Sequence, residues 1–473
     1  MRSMNWPAWV RLGDIVDLLR LSVPIAISRM AMMLMSMTDA VVLGQFAPGE
    51  LPFVLNSWLP MGVTLGFSMG ILIGVQVLTS EMLGVGRHAQ SGRIFRRGLV
   101  AATALGVALL ALVVLTAEPL FHWLFVEIAP SSDSANLANP EYVAASTASV
   151  THILALALPG FTISTVCGLY LEALRRPTLV AIISYGGVLL NIVLDLAYVG
   201  GFWGLPQMGA EGVAIATTGS RYAIAVAMFV AVIFLTPAFR ASPKAEPGEA
   251  KRQFEVGIGS AISNVAEWGG FNLTFTIATW ISLSANTVYG YTIQLVGFCF
   301  MFYMGIASAT SVRVAEAFGR GNKDEVVNAG RLGVAATILT GTTLGLLLVV
   351  FREPLSHLLV NKEALIDGVA IAPAIASLMF LAGAMTLFDG MQATASFALR
   401  AQEIVWSPSL IHIGSFFLVM LPACYWLGIV EGHGAKGMME GALIGVFVAG
   451  TLQTLMLELK AARPLKGHAA LKL

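Results

Sequence analysis

The sequence is poor in charged residues. Only 11% of its 473 residues are Asp, Glu, Lys or Arg, whereas soluble domains carry about 25%. Hydrophobic residues make up 57% of the chain, and the mean hydropathy is +0.80. The chain is therefore predicted to be an all-helical, polytopic membrane protein. Its 27 basic and 27 acidic residues balance, which argues against a nucleic-acid partner.

Several motifs are missing as well. The dipeptide Gly-Lys does not occur, so the chain has no Walker A motif and is not expected to drive transport by ATP hydrolysis alone. The sequence has no HExxH motif and no cluster of His and Cys, and it is not expected to be an enzyme. The three cysteines lie in apolar runs and are interpreted as packing residues: Cys167, Cys299 and Cys424. The polar N-terminus leads into a long span, so no cleavable signal is predicted.

Long apolar segments dominate what remains. Twelve are long enough to cross a bilayer: 18–44, 53–80, 98–117, 145–171, 177–200, 210–236, 256–283, 285–311, 331–351, 368–397, 405–428 and 440–459. The second segment carries Gly66, Gly70 and Gly74, a spacing that favours close helix packing.

The distribution of Lys and Arg predicts the orientation of the spans. Nearly all basic residues outside the spans fall on one side, and only Arg352, Lys362 and Lys436 fall on the other. Because cytoplasmic loops are the basic ones, both termini are predicted to be cytoplasmic. The loop 118–144 carries acidic residues without Lys or Arg, as expected outside the cell.

The chain contains an internal repeat. Residues 26–28 (AIS) recur at 261–263, and the pattern ExxGxG at 81–86 recurs at 316–321. The tripeptide ALR at 173–175 recurs at 398–400. These matches predict two parallel six-helix lobes related by a pseudo-two-fold axis along the membrane normal. The predicted domains are an N-lobe at 1–236, a cytoplasmic linker at 237–255, and a C-lobe at 256–473.

Carboxylates inside the spans are the candidates for function. A charge at mid-membrane costs about 2.5–3.5 kcal/mol, so it is expected to face a partner, a cavity or a titrating proton. Asn191 and Asp195 lie one helical turn apart and share a face. Carboxylates and amide oxygens can bind a hard cation such as Na⁺, or share a proton. The candidates are Asp39, Asn191, Asp195 and Thr217 in the first half, and Glu267 and Asp389 in the second.

Structural interpretations of these residues remain open. Asp39 or Asp195 could pair with Arg29 or Arg221, the two basic residues predicted inside spans, and Asn191 could make a helix–helix hydrogen bond. Glu81 and Glu316 lie beside basic loops and are predicted to form structural ion pairs. His152 and His412 are predicted to be hydrogen-bonded packing residues.

Methionine and aromatic residues are frequent in spans one, seven and eight. They could simply contact lipid and core, or they could line a soft cavity in which carboxylates attract and aromatic rings stack on amphiphilic cations. The candidate lining residues are Met33, Trp268, Phe271, Tyr289 and Gln294.

Taken together, the motifs resemble the multidrug and toxic compound extrusion (MATE) family, most closely its bacterial NorM-type branch. The resemblance covers almost the whole chain and rests on these segments: 37–44 (MTDAVVLG), 190–195 (LNIVLD), 204–217 (GLPQMGAEGVAIAT), 266–267 (AE), 388–392 (FDGMQ) and 399–400 (LR). Two positions differ from the family pattern: Glu81 stands where Gln is common, and Arg29 where an uncharged polar residue is usual.

The resemblance implies a cation-coupled antiporter that exports organic cations and related drugs in exchange for H⁺ or Na⁺. It places Asp39, Asn191, Asp195 and Thr217 in a first-lobe cation site, and Glu267 and Asp389 in a second-lobe acidic pair. No cofactor is expected, and a monomer is predicted. The alternatives are a flippase for lipid-linked substrates of the same superfamily, and an uptake carrier of the major-facilitator type. The choice between H⁺ and Na⁺ stays open.

Overall fold

The computed structural model describes residues 12–47, 50–127, 140–243, 247–360, 365–366 and 368–461. The two chain ends, whose cytoplasmic position is predicted above, lie outside the described residues. So does the middle of the acidic loop 118–144.

Helices make up almost all of the described chain. They are α1 Leu12–Phe46, α2 Leu51–Gly84, α3 His88–His122, α4 Pro140–Ala155, α5 Leu158–Ala173, α6 Pro177–Tyr198, α7 Gly209–Leu235, α8 Glu249–Ile281, α9 Leu283–Gly319, α10 Lys323–Val350, α11 Arg352–Leu359, α12 Ile371–Arg400, α13 Trp406–Ile413, α14 Leu421–Tyr425 and α15 Gly434–Ala461. Within the described residues, three π-helical segments extend these helices. Trp123–Glu127 continues α3, Gly414–Met420 joins α13 to α14, and Trp426–Val430 continues α14. A 3₁₀ turn, Phe202–Gly204, precedes α7, and β1 Leu365–Ile366 pairs antiparallel with β2 Val369–Ala370.

The helices follow the predicted spans, with two informative differences. The span predicted at 145–171 is a pair, α4 and α5, bent by 42° at its break. By length and composition, ten helices of the described chain can cross a membrane, or eleven if this pair is one span. Helix α8 is not among them, because Asn264, Glu267 and Asn272 lower its hydropathy. It also begins at Glu249, inside the stretch predicted as linker.

Within the described residues, the two halves of the chain share their main apolar core at one end. We call this the basic end, since it carries Arg93, Arg97, Arg175 and Arg252. One apolar cluster there joins helices from both halves and contains residues such as Leu78 and Ala315. Away from the basic end, the first half has its own cluster around Leu65, and the second half has another around Met379. The halves therefore meet at the basic end and pack separately toward the other.

Glycine allows the close approach of α2 and α8. A Cβ atom at Gly70 would lie 2.3 Å from the Cα atom of Ala261, and one at Gly74 would lie 2.1 Å from the carbonyl oxygen of Gln253. The predicted packing role of this glycine row is thus confirmed. The row also contains the spacing Gly-x-Ser-x-Gly at 66–70, but Ser68 is buried mid-helix and donates to the carbonyl of Leu65. It is therefore a helix-packing residue and not an exposed nucleophile.

The repeated ExxGxG motifs meet each other at the basic end. A Cβ atom at Gly84, in α2, would lie 2.0 Å from the carbonyl oxygen of Glu316, and one at Gly319, in α9, would lie 2.2 Å from that of Glu81. Each motif therefore supplies the glycine on which the glutamate backbone of the other rests. This reciprocal contact explains why the motif occurs in both halves.

Substituting either glycine is expected to separate the halves at the basic end. In G84V or G319V the new side chain overlaps the facing backbone, at an overpacking cost of about 1–3 kcal/mol. We expect a cysteine introduced at the buried Ser311 to react with a water-soluble maleimide about tenfold faster in either variant. The control is G186V, because no described heavy atom lies within 4 Å of a Cβ at Gly186. Equal labelling rates in G84V and G186V would contradict this role.

Candidate functional site

Ion pairs between the halves close the basic end. Arg252 of α8 donates to Glu81 of α2 at 2.9 Å and to Glu403 at 2.7 Å. Arg175, just after α5, donates to Glu316 of α9 at 2.6 Å. The prediction that Glu81 and Glu316 form structural ion pairs is confirmed.

A further ionic contact links α3 to the first turn of α8. Glu249 accepts hydrogen bonds from Arg93 and, at 2.8 Å, from Arg97. Burial by itself raises the pKa of the Glu249 carboxyl, but the hydrogen bonds from the two arginines outweigh it and hold the pKa below its ordinary value. The carboxylate therefore stays ionised, and the contact persists at neutral pH.

The first-half candidates form one buried group. Thr217 of α7 donates to Asp39 Oδ2 of α1 at 3.0 Å, and Asn191 and Asp195 of α6 lie close to the same carboxyl. We call these four residues the first-half cluster. Within the described chain, both Asp195 oxygens, both Asn191 amide atoms and Asp39 Oδ1 are buried without a hydrogen-bond partner. Buried polar atoms are almost always satisfied, so this concentration makes the cluster a candidate site for a cation or proton.

The two arginines predicted inside spans behave differently. Arg221 of α7 interacts electrostatically with Asp39, as one of the open alternatives proposed, and its guanidinium lies 5.7 Å from the ring centroid of Phe161. Arg29 of α1 does not pair with Asp39 or Asp195 and instead donates to Glu172 of α5 at 3.2 Å. The first-half cluster is thus neighboured by one cation rather than two.

Glu172 is a functional candidate that sequence reasoning missed. It is buried, and it accepts from Arg29, from Gln76 of α2 at 2.9 Å and from Ser308 of α9 at 3.0 Å. Because Ser308 belongs to the second half, this carboxylate connects the two halves inside the bundle. The predicted span ends at residue 171, one position short of Glu172, although the repeated tripeptide at 173–175 marks its neighbourhood.

The second-half candidates are joined by one side chain. Gln392 Nε2 of α12 donates to Glu267 Oε1 of α8 at 2.8 Å and to Asp389 Oδ1 at 3.1 Å. Tyr303 of α9 donates to Asp389 Oδ2 at 3.0 Å, and His412 Nε2 lies 2.7 Å from Gln392 Oε1. We call these five residues the second-half cluster. All are buried, so two carboxylates share one interior amide.

A buried arginine corrects the expected charge balance here. The sequence predicts only Arg29 and Arg221 inside spans and assigns Arg400 to the basic loops, but Arg400 is only 1% exposed. It lies 3.5 Å from Asn264 Oδ1 and interacts electrostatically with Glu267. The end of α12 packs inward, so this guanidinium stays inside the protein beside the acids.

A groove in the second half reaches the second-half cluster. It is lined by Glu267, Trp268, Phe271, Asn272, Ile293, Val296, Gly297, Phe300, Met385 and Asp389. A second pocket, toward the basic end, shares Glu267 and Trp268 with it and also contacts Arg29, Asn264 and Arg400. An apolar, aromatic wall with two carboxylates suits an amphiphilic cation.

The predicted lining residues are only partly placed along this groove. Trp268 and Phe271 line it, and Met33 of α1 lies opposite, with its methyl group 3.8 Å from a Cβ position at Gly297. The prediction for Tyr289 is wrong, because this side chain is fully buried against Thr274, with 2.8 Å between the two hydroxyls. Gln294 is exposed, and it is not among the residues that line the groove.

Neither cluster has the donor set of a transition-metal centre. In the part of the chain that the structure describes, no three His, Cys, Asp or Glu side chains gather to hold a metal ion. Each cluster instead brings two carboxylates together, and carboxylates suit a proton or a monovalent hard cation.

The chain is similar to known proteins over most of its length. The MatE family description matches residues 24–197 and 260–426, one segment in each half. The chain is 32% identical to a "Probable multidrug resistance protein NorM" of Caulobacter vibrioides, over 92% of this chain and 89% of the relative. It is 26% identical to "Multidrug resistance protein PmpM" of Pseudomonas aeruginosa, over 97% and 94% of the two chains.

Solved structures share the fold. The eukaryotic MATE transporter AtDTX14 superposes with a TM-score of 0.84 at 17% identity, covering 96% of this chain and 98% of that one. A multidrug resistance MATE transporter in an outward-facing conformation superposes with a TM-score of 0.81 at 16% identity, covering 95% and 96%. With matches over most of its length in both sequence and fold, the chain belongs to the MatE family of membrane transporters.

Proposed function

We propose that this protein exports drugs, including organic cations, by antiport against H⁺ or Na⁺ across the bacterial inner membrane. The relatives named above are multidrug resistance proteins, which supports the choice of substrates. The observation that carries the proposal is the apolar groove of the second half, which is lined by Glu267 and Asp389, two carboxylates held by one amide. Glu267 also lines the second pocket, to which Arg29 of the first half contributes.

The coupling follows from competition for negative charge. A cationic drug in the groove is attracted by ionised Glu267 and Asp389, whereas a bound proton or Na⁺ removes that attraction. Ion entry therefore releases the drug. The first-half cluster is a second ion site, whose unpartnered atoms include both oxygens of Asp195.

Alternating access is the transport step. In this proposal the N-lobe, 1–236, and the C-lobe, 256–473, rock as units about the groove, with the basic end at the cytoplasm and both termini inside. With the basic end at the cytoplasm, as this proposal holds, halves that meet at that end form an outward-facing state. Inward opening requires the contacts of Arg252 with Glu81, and of Arg175 with Glu316, to break. We propose that the monomer is the working unit.

A lipid flippase is less well supported. Recognition of an anionic lipid headgroup would need free basic side chains in the cavity. The two guanidiniums near the groove are engaged, since Arg29 pairs with Glu172 and Arg400 faces Glu267.

The proposal predicts that an imposed ion gradient drives drug release. The purified protein is reconstituted in proteoliposomes that are loaded with ethidium, a fluorescent organic cation. A pH gradient is imposed first, and a Na⁺ gradient is imposed in a second experiment. At least one gradient is expected to drive ethidium movement, and it identifies the coupling ion. Each elementary charge that enters contributes about 2.3 kcal/mol per 100 mV of membrane potential. An ethidium transport rate that neither gradient changes would contradict the proposal.

A further inference from the structure

The hydrogen bonds of Gln392 have a defined direction. Its Nε2 group has two hydrogens, and both are used, one on Glu267 at 2.8 Å and one on Asp389 at 3.1 Å. Its Oε1 atom therefore points away from the acids, toward His412 Nε2 at 2.7 Å. The amide oxygen carries no hydrogen and can only accept, so His412 Nε2 carries the hydrogen of this bond.

His412 is fixed in turn by its surroundings. It is 1% exposed, and burial favours its neutral form, which carries a single ring hydrogen. Because Gln392 Oε1 can only accept, that hydrogen lies on Nε2. This form can only donate to Gln392, so it prevents the amide from flipping its oxygen toward the two carboxylates.

We propose that Gln392, oriented by His412, is a positioning residue that sets how tightly Glu267 and Asp389 hold a proton. This inference rests on the proposed function, because it assigns a role at the same acidic pair. An amide donor aimed at two buried carboxylates favours their ionised forms. Without it, the pair holds a proton to more alkaline pH and competes longer with a cationic drug.

Other groups also face the acidic pair and act in the same balance. On α8, the charged group is Glu267, which is itself a member of the pair. On α9, Tyr303 donates to Asp389, and Cys299 lies near the same carboxyl. From α12 comes Arg400, which faces Glu267, and from α13 comes His412, which reaches the pair only through Gln392. The Gln392 amide differs from these groups because it donates to both carboxylates. Its loss is therefore expected to change the proton affinity of both acids together.

The test is the pH dependence of ethidium binding to the purified full-length protein. Q392M keeps the side-chain volume but removes both donors. We expect the pH of half-maximal binding to move upward by about one unit, because each of the two ionised carboxylates loses a donated hydrogen bond. Binding at saturating alkaline pH is expected to stay close to that of the wild type. Q392A, which is smaller, serves as a second variant if Q392M fails to fold.

The matched control is Q453M. Gln453 of α15 is also fully buried in the second half, and its Nε2 donates to the carbonyl of Pro408, away from the acids. Its replacement is expected to lower thermal stability without moving the pH midpoint. A Q453M shift as large as that of Q392M would mean that the effect is a general loss of packing, and would overturn the inference.

The role of His412 is tested by a conservative pair of variants. H412L removes the donor and is expected to reproduce at least half of the Q392M shift, because the amide is then free to flip. H412Q can place an amide N–H near the position of Nε2, and it is expected to keep a midpoint close to the wild-type value. Equal midpoints in H412L and wild type would remove His412 from the proposal.

E267Q and D389N separate this inference from the proposed function. If both lose the pH dependence of ethidium binding while Q392M keeps the wild-type midpoint, the acidic pair is the ion site and the positioning role is wrong. If both keep the wild-type pH dependence, the proposed function itself is wrong.

Discussion

E267Q and D389N are each expected to reduce ion-driven ethidium efflux at least 100-fold, while the protein still inserts and folds. An amide has nearly the shape of the carboxyl it replaces, but it can neither ionise nor bind a proton or Na⁺ as an anion. Losing the contact between a buried carboxylate and the cation that it binds costs about 2–5 kcal/mol of interaction, and 1.4 kcal/mol corresponds to a factor of ten. The groove would also lose half of the charge that attracts a cationic drug.

The measurement is efflux from proteoliposomes under the gradient that drives the wild type, with thermal unfolding of each variant as the folding check. E255Q is the control for E267Q, because Glu255 lies on the same helix and is exposed. D324N is the control for D389N, since Asp324 is exposed at the start of α10. Both controls are expected to transport normally. Full efflux by E267Q and D389N would show that coupling does not depend on this pair.

D195N is expected to separate stability from transport. Both oxygens of Asp195 are buried without a partner in the described chain, and Asp39 lies beside them. Two ionised carboxylates at this distance repel, and a neutral amide removes the repulsion. We expect D195N to stabilise the protein by about 1–3 kcal/mol at alkaline pH and to reduce coupled efflux at least tenfold.

The gain in stability has a characteristic pH dependence. The amide introduced by D195N cannot ionise, whereas the wild-type pair gains a second negative charge as the pH rises. The difference in melting temperature between D195N and wild type is therefore expected to grow from pH 5 to pH 9. D324N, at an exposed position, is expected to show no such trend. A variant that is less stable than wild type at pH 9 would mean that Asp195 has a structural partner and is not an ion ligand.

Much of the candidate site could be predicted from the sequence, because an acid in an apolar segment is visible by itself. Asp39, Asp195, Glu267 and Asp389 all stand alone in such segments, and each is buried. Glu172 and Arg400 could not be recognised in this way, since they lie at the ends of apolar segments, where a charge usually reaches water. Only the packing of α5 and α12 against neighbouring helices shows that these two side chains are enclosed.

Helix α8 shows the same limit from the other direction. Its hydropathy alone does not qualify it as a span, because Asn264, Glu267 and Asn272 interrupt the apolar run. Its length and its place in the repeat nevertheless predict a helix. What lowers its hydropathy is the polar face that it turns toward the groove and α12.

The amino-acid sequence on its own determined the helical membrane class, the doubling of the chain and the identity of four buried acids, Asp39, Asp195, Glu267 and Asp389. These follow from segment length, repeat spacing and the cost of burying charge, which are local properties. The tertiary structure alone decided which polar side chains pair. Arg29 pairs with Glu172 rather than with Asp39, and Gln392 donates to both Glu267 and Asp389. Such partners come from different helices, and the rotation and contact of those helices is set by packing across the whole bundle.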